Sequence, residues 1–433
     1  MAISTITISF LVALATLLFS VPVAVTLAAA GLIGGLVMIG APMVQSLGSV
    51  VWGVQNENAL TAIPLFILLG ELLLRTGLAD RMYGSLSAWV DRLPGGLMHT
   101  NIASCALFAA TCGSSVATSA TIGTVALPTM QERGYPIAPT LGSLAAGGTL
   151  GILIPPSVAM LVYGSITNNS VGKLFIAGII PGILLSLMFM LWILVDSLRR
   201  NGLTRAEAPI PLAEKLRLSR HLVPPFLIFG VVMGSIYTGL ATPTESAGLG
   251  VLMALVLAAL SGTMRWQALN QAFRNTASLT GMIALIIAAA FILNVTLNAL
   301  DVPQMLSRAV TSIGVTPTLF ILMMIVFYVI LGMFLEVLSM QVTTIPIVYP
   351  IAISLGIDPI WFGVFIVLMS EIALITPPVG MNLYVVQGVR TDGGPIGDVI
   401  NGIWPYVVML ILFTLLLWFV PELVTWLPQK MMS

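Results

Sequence analysis

Gly151-Ile152-Leu153-Ile154-Pro155-Pro156-Ser157 and Ala373-Leu374-Ile375-Thr376-Pro377-Pro378-Val379-Gly380 interrupt two long apolar runs, at 138–168 and 359–388. Each Pro-Pro pair removes two amide donors and steers the preceding residue out of the helical region, so carbonyls on the turn before it lose their partners. In hydrocarbon such carbonyls must be satisfied by protein, water or a cation. One such motif reads as a proline kink. Two of them, at matching positions of two halves of one chain, point to an ion or substrate site.

The surroundings of both breaks are lipid-like. Of 433 residues, 58% are apolar and 7% charged, and the mean hydropathy is +1.08; a soluble chain carries about 25% charge. This excludes a soluble globular enzyme. At roughly 20 apolar residues per crossing, the length holds about ten to twelve helices and leaves no stretch for an extramembrane domain. Sixteen Lys and Arg balance sixteen Asp and Glu, so there is no basic face for nucleic acid. Cys105 and Cys112 stand seven apart in an apolar stretch and read as buried packing thiols, with neither disulfide nor metal spacing. Met1 to Phe19 is apolar without a basic start, and apolar sequence resumes after Pro22, so it reads as a retained span and not a cleaved signal.

Ordinary spans are predicted at 3–20, 22–40, 59–76, 172–198, 221–238, 243–261, 276–297 and 396–420. Two further apolar regions, 97–132 and 317–356, are broken at their middles by Gly and Ser and are predicted to be re-entrant hairpins. With these hairpins and two broken crossings, the fold class is an all-α polytopic membrane protein of about ten crossings. The polar stretch from Arg199 to Arg220 is placed in the cytoplasm by its basic residues. Both termini then lie outside. Thirteen Lys and Arg fall on the inner side against three, Lys173, Arg308 and Lys430, on the outer.

An internal repeat follows from the same order of elements. From 59 and again from 276, a crossing, a short amphipathic segment (78–93; 302–313), a hairpin, a broken crossing and a crossing succeed one another. In the assigned topology the copies are inverted, the mark of secondary transporters with a site near the midplane. The resulting division is 1–58 N-terminal scaffold helices, 59–198 first repeat, 199–220 cytoplasmic linker, 221–275 central scaffold helices, 276–420 second repeat and 421–433 tail.

The first hairpin tip, Cys112-Gly113-Ser114-Ser115, offers hard oxygen ligands suited to alkali cations, and the second carries Glu336. Ser and Thr in membrane helices commonly bond back to their own turn; a neighbouring break favours the ligand reading. Glu71 precedes Arg75 by four residues and is explained by that pair, and Glu245 after Pro243 suits a helix first turn. Glu336 and Glu371 have no obvious basic neighbour in sequence. A cation or proton role is expected for Glu336 and a hydrogen-bonding role for Glu371. Ser115, Ser157, Glu371 and Asn382 are the substrate-facing candidates. On the segment 78–93, Leu78, Met82, Leu86, Trp89 and Val90 fall at helical spacing, as in an interfacial helix. Both histidines, His99 and His221, fall at presumed cytoplasmic loops as solvated residues. With no His-Glu-x-x-His motif and no P-loop, an intramembrane enzyme is a remote reading.

Ala62-Ile63-Pro64-Leu65-Phe66-Ile67-Leu68-Leu69-Gly70-Glu71, Gly113-Ser114-Ser115, Gly151 to Ser157, Leu174-Phe175-Ile176-Ala177-Gly178-Ile179-Ile180-Pro181-Gly182 and Ile375-Thr376-Pro377-Pro378-Val379-Gly380 resemble, in this order, the large membrane (M) subunit of the tripartite ATP-independent periplasmic (TRAP) transporters. The resemblance runs through most of the chain. It implies sodium-driven symport of small organic acids such as C4-dicarboxylates, sialic or other sugar acids and keto acids. Its further implications are an elevator movement in a bacterial inner membrane, no ATP and no enzymatic activity. The implied partners are a periplasmic substrate-binding (P) protein and a small four-helix membrane (Q) subunit on a separate chain, beside the membrane lipid. It also implies one Na+ site at Cys112, Ser114, Gly151, Ile154 and Pro156, mostly through carbonyls, and a second at Glu336, Thr376, Pro378 and Gly380. Members often carry Ser where Cys112 stands and Asp where Glu336 stands. A related cation-coupled anion transporter or exchanger that needs no binding protein is the nearer alternative.

Overall fold

A computed structural model describes residues 21–200 and 210–431, all of whose regular structure is helical. The expected span at 3–20, much of the linker and the last two residues lie outside the described residues. The chain opens with α1 (Val23–Met38), α2 (Ala41–Gln55), α3 (Asn58–Arg75) and the amphipathic α4 (Leu78–Val90). The first hairpin is α5 (Leu97–Cys112) and α6 (Ser115–Glu132), followed by α7 (Ile137–Leu153) and α8 (Val158–Thr167) across the first break. Then come α9 (Val171–Arg199), the linker helix α10 (Leu212–Ser219), α11 (Val223–Tyr237), α12 (Pro243–Leu260) and α13 (Trp266–Ala299). The second series is α14 (Val302–Ser312), α15 (Pro317–Gly332), α16 (Val337–Ser354), α17 (Pro359–Ile375), α18 (Met381–Gly388), α19 (Gly397–Phe419) and α20 (Glu422–Met431).

The two series match in length. Hairpin arms of 16 and 18 residues and a first half-helix of 17 residues recur in both, and each Pro-Pro peptide at the breaks is cis. Among the described residues seven helices, α7–α8 counted as one, are long and apolar enough to cross a membrane. They become eight if α2 and α3, bent by 49°, form one span. Fewer qualify than the ten expected because 3–20 lies outside the described residues, α1 and α17 are shorter than 18 residues and α3 counts only together with α2, while α16, expected as half a hairpin, is long enough. Helix α2 was not anticipated: Gln45, Ser46, Gly48, Ser49 and Gln55 dilute its hydropathy below that of a span.

Helix α13 packs along α1 and α3, and α12 along α3 and α11. The hairpin α5–α6 packs on α7, which also crosses α19 and α17. At the α7–α19 crossing Gly142 faces the Gly402 carbonyl so closely that an added Cβ would lie 2.1 Å from that oxygen. Small residues permit such approaches between membrane helices, where packing substitutes for hydrophobic drive. α7–α8 is consequently the most enclosed span, with 94% of its apolar window buried.

Helix α4 turns most of the expected apolar face inward, with Met82 buried and Leu78 and Leu86 packed against the core. Ala79, Met82, Tyr83, Ser85 and Ala88 are buried, whereas Trp89 is exposed. The hairpin holds Tyr83 in that face, because the Tyr83 hydroxyl donates to Asn101 Oδ1 at 2.9 Å and Asn101 Nδ2 in turn donates to Ser143 Oγ at 2.9 Å. Trp89 instead meets the linker, its indole N–H donating to Ser219 Oγ at 2.9 Å under the Lys215 ammonium. His99 also departs from expectation: it is 2% exposed, with Nε2 2.8 Å from the Pro94 carbonyl. A polar side chain at the start of α5 avoids solvent because a turn carbonyl satisfies it.

Candidate functional site

The first hairpin tip and the first break meet through their main chains. Gly113 has φ of +66°, and a Cβ there would lie 2.6 Å from the Pro156 carbonyl oxygen. A Cβ on Gly151 would lie 2.7 Å from the backbone of Ser114 and Ser115. Only glycine serves at either position, the first by conformation and contact, the second by contact alone. The Leu153 carbonyl rests against Gly178 of α9 and the Cys112 carbonyl against Gly70 of α3. Cys112, Ser114, Gly151 and Pro156 are therefore drawn to one place, and Ile154 packs beside them against Gly182. The sequence did not point to Gly70 as a neighbour of the tip.

Hydrogen bonding around this break is unequal. In an α-helix the Gly151 and Ile152 carbonyls would accept from residues 155 and 156, both prolines without N–H. Ser157, the N-cap of α8, donates its hydroxyl to the Ile152 carbonyl and accepts from Met160 N–H. Ser115 donates to the Thr149 carbonyl at 3.0 Å. Both hydroxyls expected to face substrate are thus buried and engaged with backbone. Ser114 caps α6, accepting from Ala117 N–H at 3.4 Å, and its carbonyl accepts from the Thr118 hydroxyl at 2.7 Å.

The second break is built on the same plan with different bonds. Prolines 377 and 378 deprive the Ala373 and Leu374 carbonyls of donors. The Thr376 hydroxyl donates to the Ile372 carbonyl at 2.6 Å, its carbonyl accepts from Gly380 N–H at 3.1 Å, and the Pro378 carbonyl accepts from the Tyr384 hydroxyl at 3.0 Å. A carbonyl has two lone pairs, so one accepted bond leaves one for a cation. The second hairpin approaches through Gly332, whose added Cβ would lie 2.4 Å from that of Ala373.

Glu336 has the local partners that its sequence neighbourhood concealed. It is the N-cap of α16 and accepts from Leu338 N–H and Ser339 N–H, both at 3.1 Å, and from the Ser339 hydroxyl at 2.9 Å. Capping a helix N-terminus with a carboxylate satisfies orphan amides and complements the dipole. These bonds hold the carboxylate to its own helix; none joins it to Thr376, Pro378 or Gly380. Glu371, in α17, is fully buried with neither carboxylate oxygen hydrogen-bonded among the described residues. The bonding role expected of it is not expressed in this conformation. Asn382 is buried at the start of α18, donating to the Ala145 carbonyl at 3.3 Å and leaving Oδ1 unpartnered. Two acids behave as their spacing indicated: Glu71 pairs with Arg75 at 3.1 Å, and Glu245 closes a capping box with Thr242.

Two hairpins, two Pro-Pro breaks and the glycine contacts between them are the features that comparison with known proteins can test. Residues 10–423 match the family described as tripartite ATP-independent periplasmic transporter, DctM component. The chain belongs to this family. It is similar to the C4-dicarboxylate TRAP transporter large permease protein DctM of Pseudomonas aeruginosa, with 37% identity over 89% of this chain and 90% of the relative. Similarity extends to the sialic acid TRAP transporter large permease protein SiaM of Vibrio cholerae, 30% identical over 87% of each chain. The fold resembles that of the YdaH transporter of Alcanivorax borkumensis, with a TM-score of 0.61 at 16% identity over 87% of this chain and 88% of that one. The chain is therefore a multi-pass TRAP large permease subunit, a transport protein and not an enzyme. Among the described residues no three His, Cys, Asp or Glu side chains form a metal cluster.

Proposed function

We propose that this chain is the translocation subunit of a sodium-coupled, binding-protein-dependent importer of small organic acids. The observation that carries the reading is the main-chain contact of Gly113–Ser115 with Gly151–Pro156, halfway along the buried span Ile137–Thr167. A hairpin tip that stops at the middle of a span, beside carbonyls stripped of donors by proline, is the arrangement that an alkali cation completes. Site one is assigned to Cys112, Ser114, Gly151, Ile154 and Pro156. Site two is assigned to Thr376, Pro378 and Gly380 with Glu336, whose capping bonds leave carboxylate lone pairs for an ion.

The matched arm lengths of the two series support a repeat, and the basic residues of the linker favour its inversion, with 199–220 cytoplasmic and both termini periplasmic in a bacterial inner membrane. The elevator reading is supported by the mutual packing of α1, α3, α11, α12 and α13, which meet the hairpins along α3, α11 and α13, and by α4 bracing the first hairpin. Relatives named for C4-dicarboxylate, sialic acid and isethionate favour a small organic anion as substrate. A periplasmic binding protein would deliver it. The relative named DctMQ, of which this chain covers 64%, favours a Q subunit as a partner.

Proteoliposomes containing the chain with its binding protein and small membrane subunit test the reading. Accumulation under an inward sodium gradient, without ATP, is expected. Undiminished uptake after replacing sodium by choline would remove both sites, and uptake without the binding protein would favour the exchanger-like alternative.

A further inference from the structure

We propose that the cavity where α3, α4, α11 and α12 meet binds the headgroup of an anionic phospholipid. The cavity holds about 360 Å³ and is lined by three basic side chains, Arg81 of α4 and Arg220 and His221 of the turn before α11, and by apolar Leu73, Ile228 and Leu257. The charges of Arg81 and Arg220 both reach His221. Like charges gathered in one place repel unless an anion sits among them. Among the described residues no acid plays that part: the ion pairs there join Glu71 to Arg75, Asp91 to Arg133, Asp196 to Arg200, Glu214 to Arg217, and Arg390 to Asp392 and Asp398. Asp80, next to Arg81, lies 3.9 Å from the Cβ position of Gly77 at the start of its own helix.

Guanidinium forks match phosphate oxygens, and basic pockets between membrane helices recognise acidic headgroups. The surroundings select a lipid over a free phosphate. Val223, Leu260 and Met264, each adjacent in sequence to a cavity-lining residue, are 56%, 80% and 50% exposed and offer apolar surface for acyl chains. Thr76, Ser261 and Thr263 line the same cavity; the Thr76 and Thr263 hydroxyls donate to the Leu73 and Ala258 carbonyls, which leaves their oxygen lone pairs to accept from headgroup hydroxyls. Such a lipid would tie α4, which holds the first hairpin through Tyr83 and Asn101, to the α11–α12 pair. The inference rests on the chain's being a membrane protein and is independent of sodium coupling.

The test uses the full chain, delipidated in detergent, with dioleoylphosphatidylglycerol, dioleoylphosphatidylcholine or inorganic phosphate added, read by thermal unfolding and by lipid adducts in native mass spectrometry. Phosphatidylglycerol is expected to raise the unfolding temperature and remain as an adduct, and the other two are not. Removing two charges that each contribute at the membrane surface should weaken apparent affinity about thirtyfold in Arg81→Gln/Arg220→Gln. Arg308→Gln, elsewhere on the chain, should bind as wild type. Equal stabilisation by phosphatidylcholine, or an unchanged phosphatidylglycerol response in the double variant, would overturn the proposal. Stabilisation by inorganic phosphate alone would replace it with a soluble-anion site. If the double variant fails to fold, Arg220→Gln serves in its place, and wild-type phosphatidylglycerol binding by it is equally refuting.

Discussion

Gly151→Ala adds one methyl group where the first break touches the first hairpin tip. An ideal Cβ there lies 2.7 Å from the Ser114 carbonyl carbon, the Ser114 oxygen and the Ser115 nitrogen. All three are main-chain atoms, so no rotamer change relieves the overlap. Ordinary contact begins at 3.4 Å, so tip and break must separate by about 0.7 Å, and overpacking of this kind costs about 1–3 kcal/mol. The separation moves Ser114 relative to Gly151, two of the proposed sodium ligands. If it removes one ligand bond to the ion, worth roughly 1.5–3 kcal/mol, the sodium concentration for half-maximal uptake rises about ten- to hundredfold. Thermal unfolding in detergent and sodium-dependent uptake in proteoliposomes measure the two effects separately. Gly281→Ala, in the interior of α13 with nothing within 4 Å of its Cβ position, is the control. It should be neutral or stabilising by about 0.5–1 kcal/mol, as for a helical Gly replaced by Ala. A Gly151→Ala protein with wild-type unfolding temperature and wild-type sodium dependence would refute the tip-to-break contact as the seat of coupling.

Glu336→Gln keeps one acceptor oxygen and loses the charge. It should lower stability by about 1 kcal/mol through a weakened cap, and raise the sodium requirement by a further ten- to hundredfold if the carboxylate is a ligand. A stability loss with unchanged sodium dependence would leave Glu336 as a cap only. Arg390 clasps the loop after α18 through Asp392, Asp398 at 2.8 Å and the Pro395 carbonyl at 3.1 Å, so Arg390→Ala should expose residues 391–396 to protease while Arg390→Lys protects them partly. The Arg390 guanidinium holds the Asp392 carboxyl below its usual range. The loop contact is therefore fully present above about pH 4, the ordinary carboxylate value, and weakens as pH falls through the lowered one; protease nicking that does not increase on acidification would contradict this. Cysteine labelling in intact cells should tag a residue introduced near Ser433 and miss one near Glu207, and the reverse pattern would sink the topology.

Sequence alone placed the breaks and most helices. Proline lacks an amide wherever it stands, and a bilayer demands long apolar runs, so Pro155-Pro156, Pro377-Pro378 and the hairpin arms could be positioned to within a few residues. Spacing within one helix likewise revealed the Glu71–Arg75 pair and the Glu245 cap. Relations across the fold were another matter. Glu336 read as an unpartnered acid because two of its three partners are amides, which every sequence contains and no sequence displays, and the third is the uncharged Ser339 hydroxyl; only the turn at 336–339 aims them at its carboxylate. That Tyr83 joins the apolar residues in the buried face of α4 depends on where Asn101 and Ser143 stand. That Gly151 touches Ser114, Gly178 touches Leu153 and Gly70 touches Cys112 depends on how helices distant in sequence cross. Periodicity records which residues avoid water, whereas the identity of their neighbours is set by close packing, which exists only once the chain has folded.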